Sequence, residues 1–176
     1  MVDEARTFDT PLEGATGRSF EDFYEREFRS LVGLAYALSG SHAGAEDLAQ
    51  EALLRAHRDW HRIAHYDRPE AWVRRVVANL SVSALRRSAV EVKALGRLAV
   101  GQLRSIQPLP DRDAAFWSAV RRLPRRQSQV VALHYLEDRS VSDIAAILGI
   151  ADGTVKKHLH DARTSLARAF DEEVDA

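Results

Sequence analysis

The sequence predicts an all-α protein: two small helical modules joined by a linker, the second containing a helix-turn-helix. Three observations lead there. Apolar residues recur at three- and four-residue spacings, and no alternating run is long enough to support a sheet. Gly, Pro and Ser cut this pattern at intervals suited to separate helices. From Ser140 onward, a cap, a tight-turn glycine and a second amphipathic run follow in the order that a helix-turn-helix needs.

Residues 1–17 mix Pro11, Gly14 and Gly17 with polar residues and read as a loose tail. Phe20, Phe23, Leu31, Leu34, Ala35 and Leu38 then mark one face of a first helix that stops near Ser39-Gly40. A second helix is expected from Ala43 to Trp60, with Leu48, Ala52 and Ala56 on one face, ended by the break at 61–69. A third begins after Pro69 and runs through Trp72, Val76, Val77, Leu80 and Leu85 to about Arg87. The pattern weakens over 89–113, where Pro108-Leu109-Pro110 marks a break; this is the expected linker, with a helical stretch around 92–103. A short helix over 114–123 follows. Pro124 suits the first turn of the next helix, which carries Val130, Val131, Leu133 and Leu136.

Composition narrows the class. The chain has 176 residues, enough for one ordinary domain or two small ones, and its 45% hydrophobic and 29% charged residues are normal for a soluble globular protein. No apolar run is long enough to insert into a membrane, and the first residues carry no secretory signature. The absence of cysteine excludes disulfides, thiolate metal sites and a cysteine nucleophile. A cytoplasmic protein is expected. The net charge of −1 hides segregation: residues 72–126 hold 12 Arg and Lys against 3 Asp and Glu, whereas 1–71 hold 8 against 14. A concentrated basic centre is the feature that matters for phosphate binding.

Ser140-Val141-Ser142-Asp143 is a capping-box signature, in which Ser140 accepts an amide hydrogen bond and Asp143 returns one. Ile144, Ala145 and Leu148 form the stripe of a short helix, Gly149 supplies the turn, and Ile150 plugs the corner. In the following helix Val155, Leu159, Ala162 and Leu166 make a continuous buried face. The opposite face shows Thr154, Lys156, Lys157, His160 and Thr164. The amino-terminal residues of the second helix reach base edges in such a motif, and Lys and Thr suit both bases and phosphates.

Leu123-Pro124, Gln127, Val130, Leu133, Tyr135 and Glu137, with Ser140, Ile144-Ala145, Leu148-Gly149 and Gly153-Thr154-Val155-Lys156, resemble region 4 of extracytoplasmic-function sigma factors. Ala45-Glu46-Asp47-Leu48-Ala49-Gln50-Glu51 resembles region 2.2 of the same family. Ala71-Trp72-Val73-Arg74-Arg75-Val76-Val77-Ala78-Asn79-Leu80, ending in Leu85-Arg86-Arg87, resembles regions 2.3 and 2.4. The likeness covers nearly all of 20–170 in the family's order. It implies region 2 over 18–88, region 4 over 114–170 and a short acidic tail over 171–176, with no further carboxy-terminal regulatory domain expected.

The resemblance implies a factor that binds the clamp helices and flap of core RNA polymerase, recognises −35 and −10 promoter elements and promotes melting. It also brings in an anti-sigma factor as a partner that many relatives have. Asp47, Gln50 and Glu51 match the positions that meet the clamp, and they are expected on the exposed side of their helix. Melting takes a base out of its stack, which costs a few kcal/mol and must be offset by stacking and hydrogen bonds to the freed base. His65 and Tyr66 are the expected stacking residues, Asn79 matches a position near the captured strand, and Arg74, Arg75, Arg86 and Arg87 are expected on phosphates. Trp60 and Trp72 read instead as core residues. Thr154, Lys156, Lys157 and His160 are the expected −35 contacts.

The chain departs from the family pattern in three places, two in the helix-turn-helix and one, Ser83, in the region 2 helix. Ala151 stands where relatives often have Ser, a better cap, and Asp152 is the expected substitute. His158 and Asp161 stand where many relatives carry arginine, and Ser83 replaces a common Asp. A weaker or unusual −35 preference is the expectation. His57, His61 and His65 are spaced by four, but the helix is expected to end near Trp60 and no acidic or thiol ligand sits at a matching offset. No metal, cofactor or catalytic residue is therefore assigned. The alternative is a polymerase-independent helix-turn-helix regulator, which would have no use for the 47–51 surface and would need a dimer interface. An enzyme finds no nucleotide loop or catalytic motif here.

Overall fold

The computed structural model describes residues 19–94 and 111–174, with side chains over 19–89 and 114–171. The expected tail 1–17, most of the linker with its helical stretch near 92–103, and residues 175–176 lie outside the described residues. The described elements are all helices: α1 (Phe20–Ser39), α2 (His42–Arg58), α3 (Trp60–Ile63), α4 (Pro69–Ala94), α5 (Asp111–Arg122), α6 (Arg125–Tyr135), α7 (Val141–Leu148) and α8 (Asp152–Val174). Among the described residues no helix is long and apolar enough to cross a membrane.

Helix α1 starts where the Ser19 hydroxyl accepts the amides of Glu21 and Asp22 and stops where Gly40 turns left-handed, at φ 78°. Its buried face, including Phe23, Leu31, Leu34 and Leu38, packs against α2 and α4. Helix α2 meets it through small residues, Ala45, Ala49, Ala52 and Ala56, which let the two helices approach closely. The second helix was expected to reach Trp60, but Asp59 (φ −106°, ψ 17°) leaves the helical region and α3 starts anew. That break turns the Trp60 ring onto Phe20 and Phe23, with centroids 5.4 and 4.9 Å away. Trp60 and Trp72 both pack against the core, as expected. The break also divides His57, His61 and His65 between α2, α3 and the turn beyond.

Helix α4 runs on to Ala94, past the expected end at Arg87. No Gly or Pro stands between Glu70 and Leu95, so the weakening apolar pattern there marks a loss of burial and not a stop signal. Helices α5 to α8 add Trp117, Val120, Val131, Leu133, Ile144, Leu148, Val155 and Leu159 to the same hydrophobic core. The two sets of helices pack together: α1 against α5 and α6, and α4 against α7.

Candidate nucleic-acid interface

The helix-turn-helix forms as its local signals require. The Ser140 hydroxyl accepts the Asp143 amide at 3.1 Å and caps α7. The Asp143 carboxyl is held below its ordinary pKa first by the Ser140 hydroxyl, then by Arg68. Gly149 closes α7 at φ 65°, donating its amide to Ala145 O, and the Ile150 amide follows to the same carbonyl at 3.1 Å. Ala151, not Asp152, takes the cap position of α8: its carbonyl accepts the amides of Thr154 and Val155, while Asp152 is the first helical residue. Asp152 thus favours the helix through its charge near the amino terminus and not as a cap.

Val155, Leu159, Ala162 and Leu166 are buried along α8. Thr154, Lys156, Lys157, His160 and Thr164 are exposed on the other side, so the four expected −35 residues share one accessible face. They are not electrostatically alike. Lys157 Nζ lies 2.7 Å from Asp161 Oδ2, one turn along, and the ammonium holds that carboxyl below its ordinary pKa. No such carboxylate meets Lys156 among the described residues. One of the two positive charges at the head of this helix is therefore largely answered within it.

Asp47, Gln50 and Glu51 are exposed on α2, away from Ala45, Ala49, Ala52 and Ala56. Glu51 accepts from Arg55 Nε at 2.8 Å. Beside Gln50 lies a groove between α1 and α2 lined by Phe20, Tyr24, Leu53, Leu54 and His57. Leu54 is 58% exposed there. The acidic and amide surface thus adjoins an apolar one, which sequence reasoning missed because Leu54 breaks no periodic rule.

The seven expected −10 residues are not brought to one open face. His65, Arg86 and Arg87 are exposed. Tyr66 is buried among the core residues at 7% exposure, so the expected stacking role is not available to its ring in this arrangement. Arg74 is buried too, and it carries no open phosphate-binding group. Its Nη1 pairs with Glu27 Oε2 of α1 at 2.7 Å, and its Nε with Glu137 Oε2 from the turn after α6. Burial opposes the charge, but Glu137 and then Glu27 outweigh it and hold the guanidinium pKa above its ordinary value. Arg75 Nε donates to Ile147 O of α7 at 2.6 Å. Asn79 Oδ1 accepts from Arg125 Nη2 and, at 3.1 Å, from Gln129 Nε2, which also reaches Ala78 O. Glu27, Glu137, Arg125 and Gln129 were not anticipated in these roles. Each acts across 46 or more residues, beyond any local pattern.

Known proteins share these two sequence regions and this fold. Residues 23–90 match Sigma-70 region 2, and residues 113–166 match Sigma-70, region 4. The chain is 32% identical to the ECF RNA polymerase sigma factor SigM of Mycobacterium tuberculosis over 156 residues, covering 85% of this chain and 76% of that protein. It is also 32% identical to the RNA polymerase sigma-E factor of Streptomyces avermitilis over 148 residues, covering 84% and 82%. Among solved structures, the sigma factor RpoE bound to the anti-sigma factor NepR from Bartonella quintana superposes with a TM-score of 0.68 at 26% identity, covering 86% of this chain and 96% of that one. CnrH in complex with the cytosolic domain of CnrY has the same fold, at a TM-score of 0.62 and 21% identity over 90% and 92% of the two chains. With both modules matched in order and relatives at this identity spanning most of their length, the chain belongs to the extracytoplasmic-function sigma factors of the sigma-70 family.

Proposed function

We propose that this sigma factor docks core RNA polymerase through Asp47, Gln50 and Glu51 of α2, holds the −35 duplex with α8, and uses the module over 18–88 to open the −10 element. The observation that carries the reading is α8 itself. Thr154, Lys156, Lys157 and His160 form one exposed face directly behind a helix-turn-helix corner, backed by a fully buried opposite face. Exposed carboxylates and an amide on α2 suit a basic partner surface, and such contacts favour fast, oriented docking. The factor works by binding, without a reaction of its own, in the cytoplasm where its polymerase resides. An anti-sigma factor is the further partner we propose, supported by the structural neighbour held by NepR.

The test is reconstitution of purified chain with core polymerase on a promoter library, scored for initiated transcripts. Discrete start sites that depend on the chain are expected. The Asp47→Lys/Glu51→Lys variant should lose core binding by tenfold or more, while the wild-type −35 duplex affinity of the free chain is retained. Absent start sites, or full core binding by the variant, would sink these assignments.

A further inference from the structure

We propose that Asp161 is a specificity-determining residue of the recognition helix: it accepts from the amino group of a cytosine in the major groove of the −35 duplex, while Lys157 holds its carboxylate in place. The proposal rests on the assignment of α8 to that duplex. Asp161 is the one carboxylate between Gly153 and Phe170, and it stands among Lys156, Lys157, His158, His160 and Arg163. At about 100° per residue, Thr154, Lys157, Asp161 and Thr164 fall along one line of the helix. That line runs opposite the buried stripe of Val155, Leu159, Ala162 and Leu166, on the side where an inserted helix meets base edges. Lys156 and Arg163 lie to the side of it, toward the phosphates that border the groove.

A carboxylate facing DNA is repelled by the phosphates, so its presence on this line calls for a compensating contact. Lys157 Nζ donates to Asp161 Oδ2 at 2.7 Å, which offsets the repulsion and fixes the carboxylate on the groove side. The Lys157 side chain is 72% exposed and that of Asp161 34%, and a pair this open to solvent adds little to the stability of the fold. The hydrogen bond from Lys157 leads the interactions that hold the carboxyl below its ordinary pKa, and the charges of His160 and His158 add to them. The group is therefore an ionised acceptor with no proton to give. In the major groove only the amino groups of cytosine and adenine donate. The adenine amino group lies between two acceptors of its own base pair, N7 and thymine O4, and both repel a carboxylate. The cytosine amino group has guanine O6 on one side and a ring C–H on the other. Cytosine is thus the base from which a carboxylate accepts. Lys157 acts through Asp161 as a positioning residue.

The test is selection of duplexes from a random-sequence pool by the full chain at low salt, followed by affinity measurements on single-base variants of the recovered site. Wild type should require cytosine at one position, with each other base there costing about fivefold or more. Asp161→Ala should lose that preference and keep those at the remaining positions. It should also bind mixed-sequence duplex more tightly than wild type, because a repelled charge has gone. Asp161→Asn, which adds an amide donor, should move the preference at the same position toward adenine. Average affinity and discrimination at one base thus change in opposite directions, which a weakened helix would not produce; circular dichroism checks the helical content of both variants. A wild-type site without a required cytosine, or an unaltered profile in both variants, overturns the role of Asp161 and leaves the −35 reading standing. A profile altered at every position in both variants overturns it as well, since the residue would then act through the fold. A wild-type chain that selects no sequence sinks the −35 assignment of α8, and this role with it.

Discussion

Lys156 and Lys157 stand side by side at the head of α8, yet Lys156→Ala should weaken −35 binding more than Lys157→Ala. Lys157 already holds Asp161 at 2.7 Å, so it neutralises a phosphate less fully and displaces fewer of the cations condensed on the DNA. A phosphate contact contributes a slope of about −0.9 to log K against log salt. Losing Lys156 should reduce the slope by about that amount. Over a fourfold rise in salt, the wild-type advantage should then shrink about 3.5-fold. At low salt the lost charge-assisted contact is worth roughly 1.5 kcal/mol, or about tenfold in affinity. Lys157→Ala should show less than half of each effect. Asp161→Ala, which frees Lys157, should steepen the slope by up to about 0.9. Anisotropy of a labelled −35 duplex titrated with full-length chain at several salt concentrations measures all four proteins. Equal slope losses for the two lysines, with no steepening in Asp161→Ala, would refute the argument.

Two further outcomes follow from the packing. Gly149→Ala forces a side chain into the left-handed region, and its Cβ would come within 2.0 Å of Arg75 Nη2. A loss of ~1–2 kcal/mol is expected for the backbone alone, lowering Tm by roughly 2–8 °C for a chain of this size. Repeating the substitution in an Arg75→Ala background should leave that backbone cost in place and remove the clash, and recovery of full stability there would refute the strain. For Glu27, burial raises the carboxyl pKa, but Arg74 and then Arg26 outweigh it, and the folded value lies below 4.5. Its stabilisation is therefore present above pH 4.5 and lost as pH falls through the folded value. Glu27→Gln should lower stability at pH 7 by less than the ~3–5 kcal/mol of an isolated buried pair, because Arg74 keeps Glu137. Urea unfolding at pH 7 and pH 4 should show a gap between wild type and variant that narrows in acid; a constant gap would exclude an ionised Glu27 as the cause.

The wet and dry sides of the helices were legible in the sequence wherever the information is local. Val155, Leu159, Ala162 and Leu166 recur at helical spacing, so one face had to be buried, and the exposure of Lys156 and Lys157 follows from the same geometry. Ser140 and Gly149 likewise announce their cap and turn by residue type. Even the misplaced ends have local causes. Asp59 breaks the second helix without a Gly or Pro to announce it, and α4 outlasts the apolar pattern because nothing in its sequence stops it.

What only the tertiary structure decided is which polar side chains are free to act. Arg74 reads as a phosphate-binding arginine because the family resemblance that implies this role describes its own helix alone. Its partner Glu137 lies 63 residues away, and Gln129 reaches Ala78 across 51. Tyr66, in a short turn that reads as exposed loop, is buried for the same reason. Such pairings are selected by how helices pack, and their energy comes from desolvation and charge balance across the contact, which no periodicity encodes. The sequence by itself determined an all-helical sigma factor with an outward-facing recognition helix. Tertiary packing determined that Arg74, Arg75 and Asn79 of α4 are held by the second module.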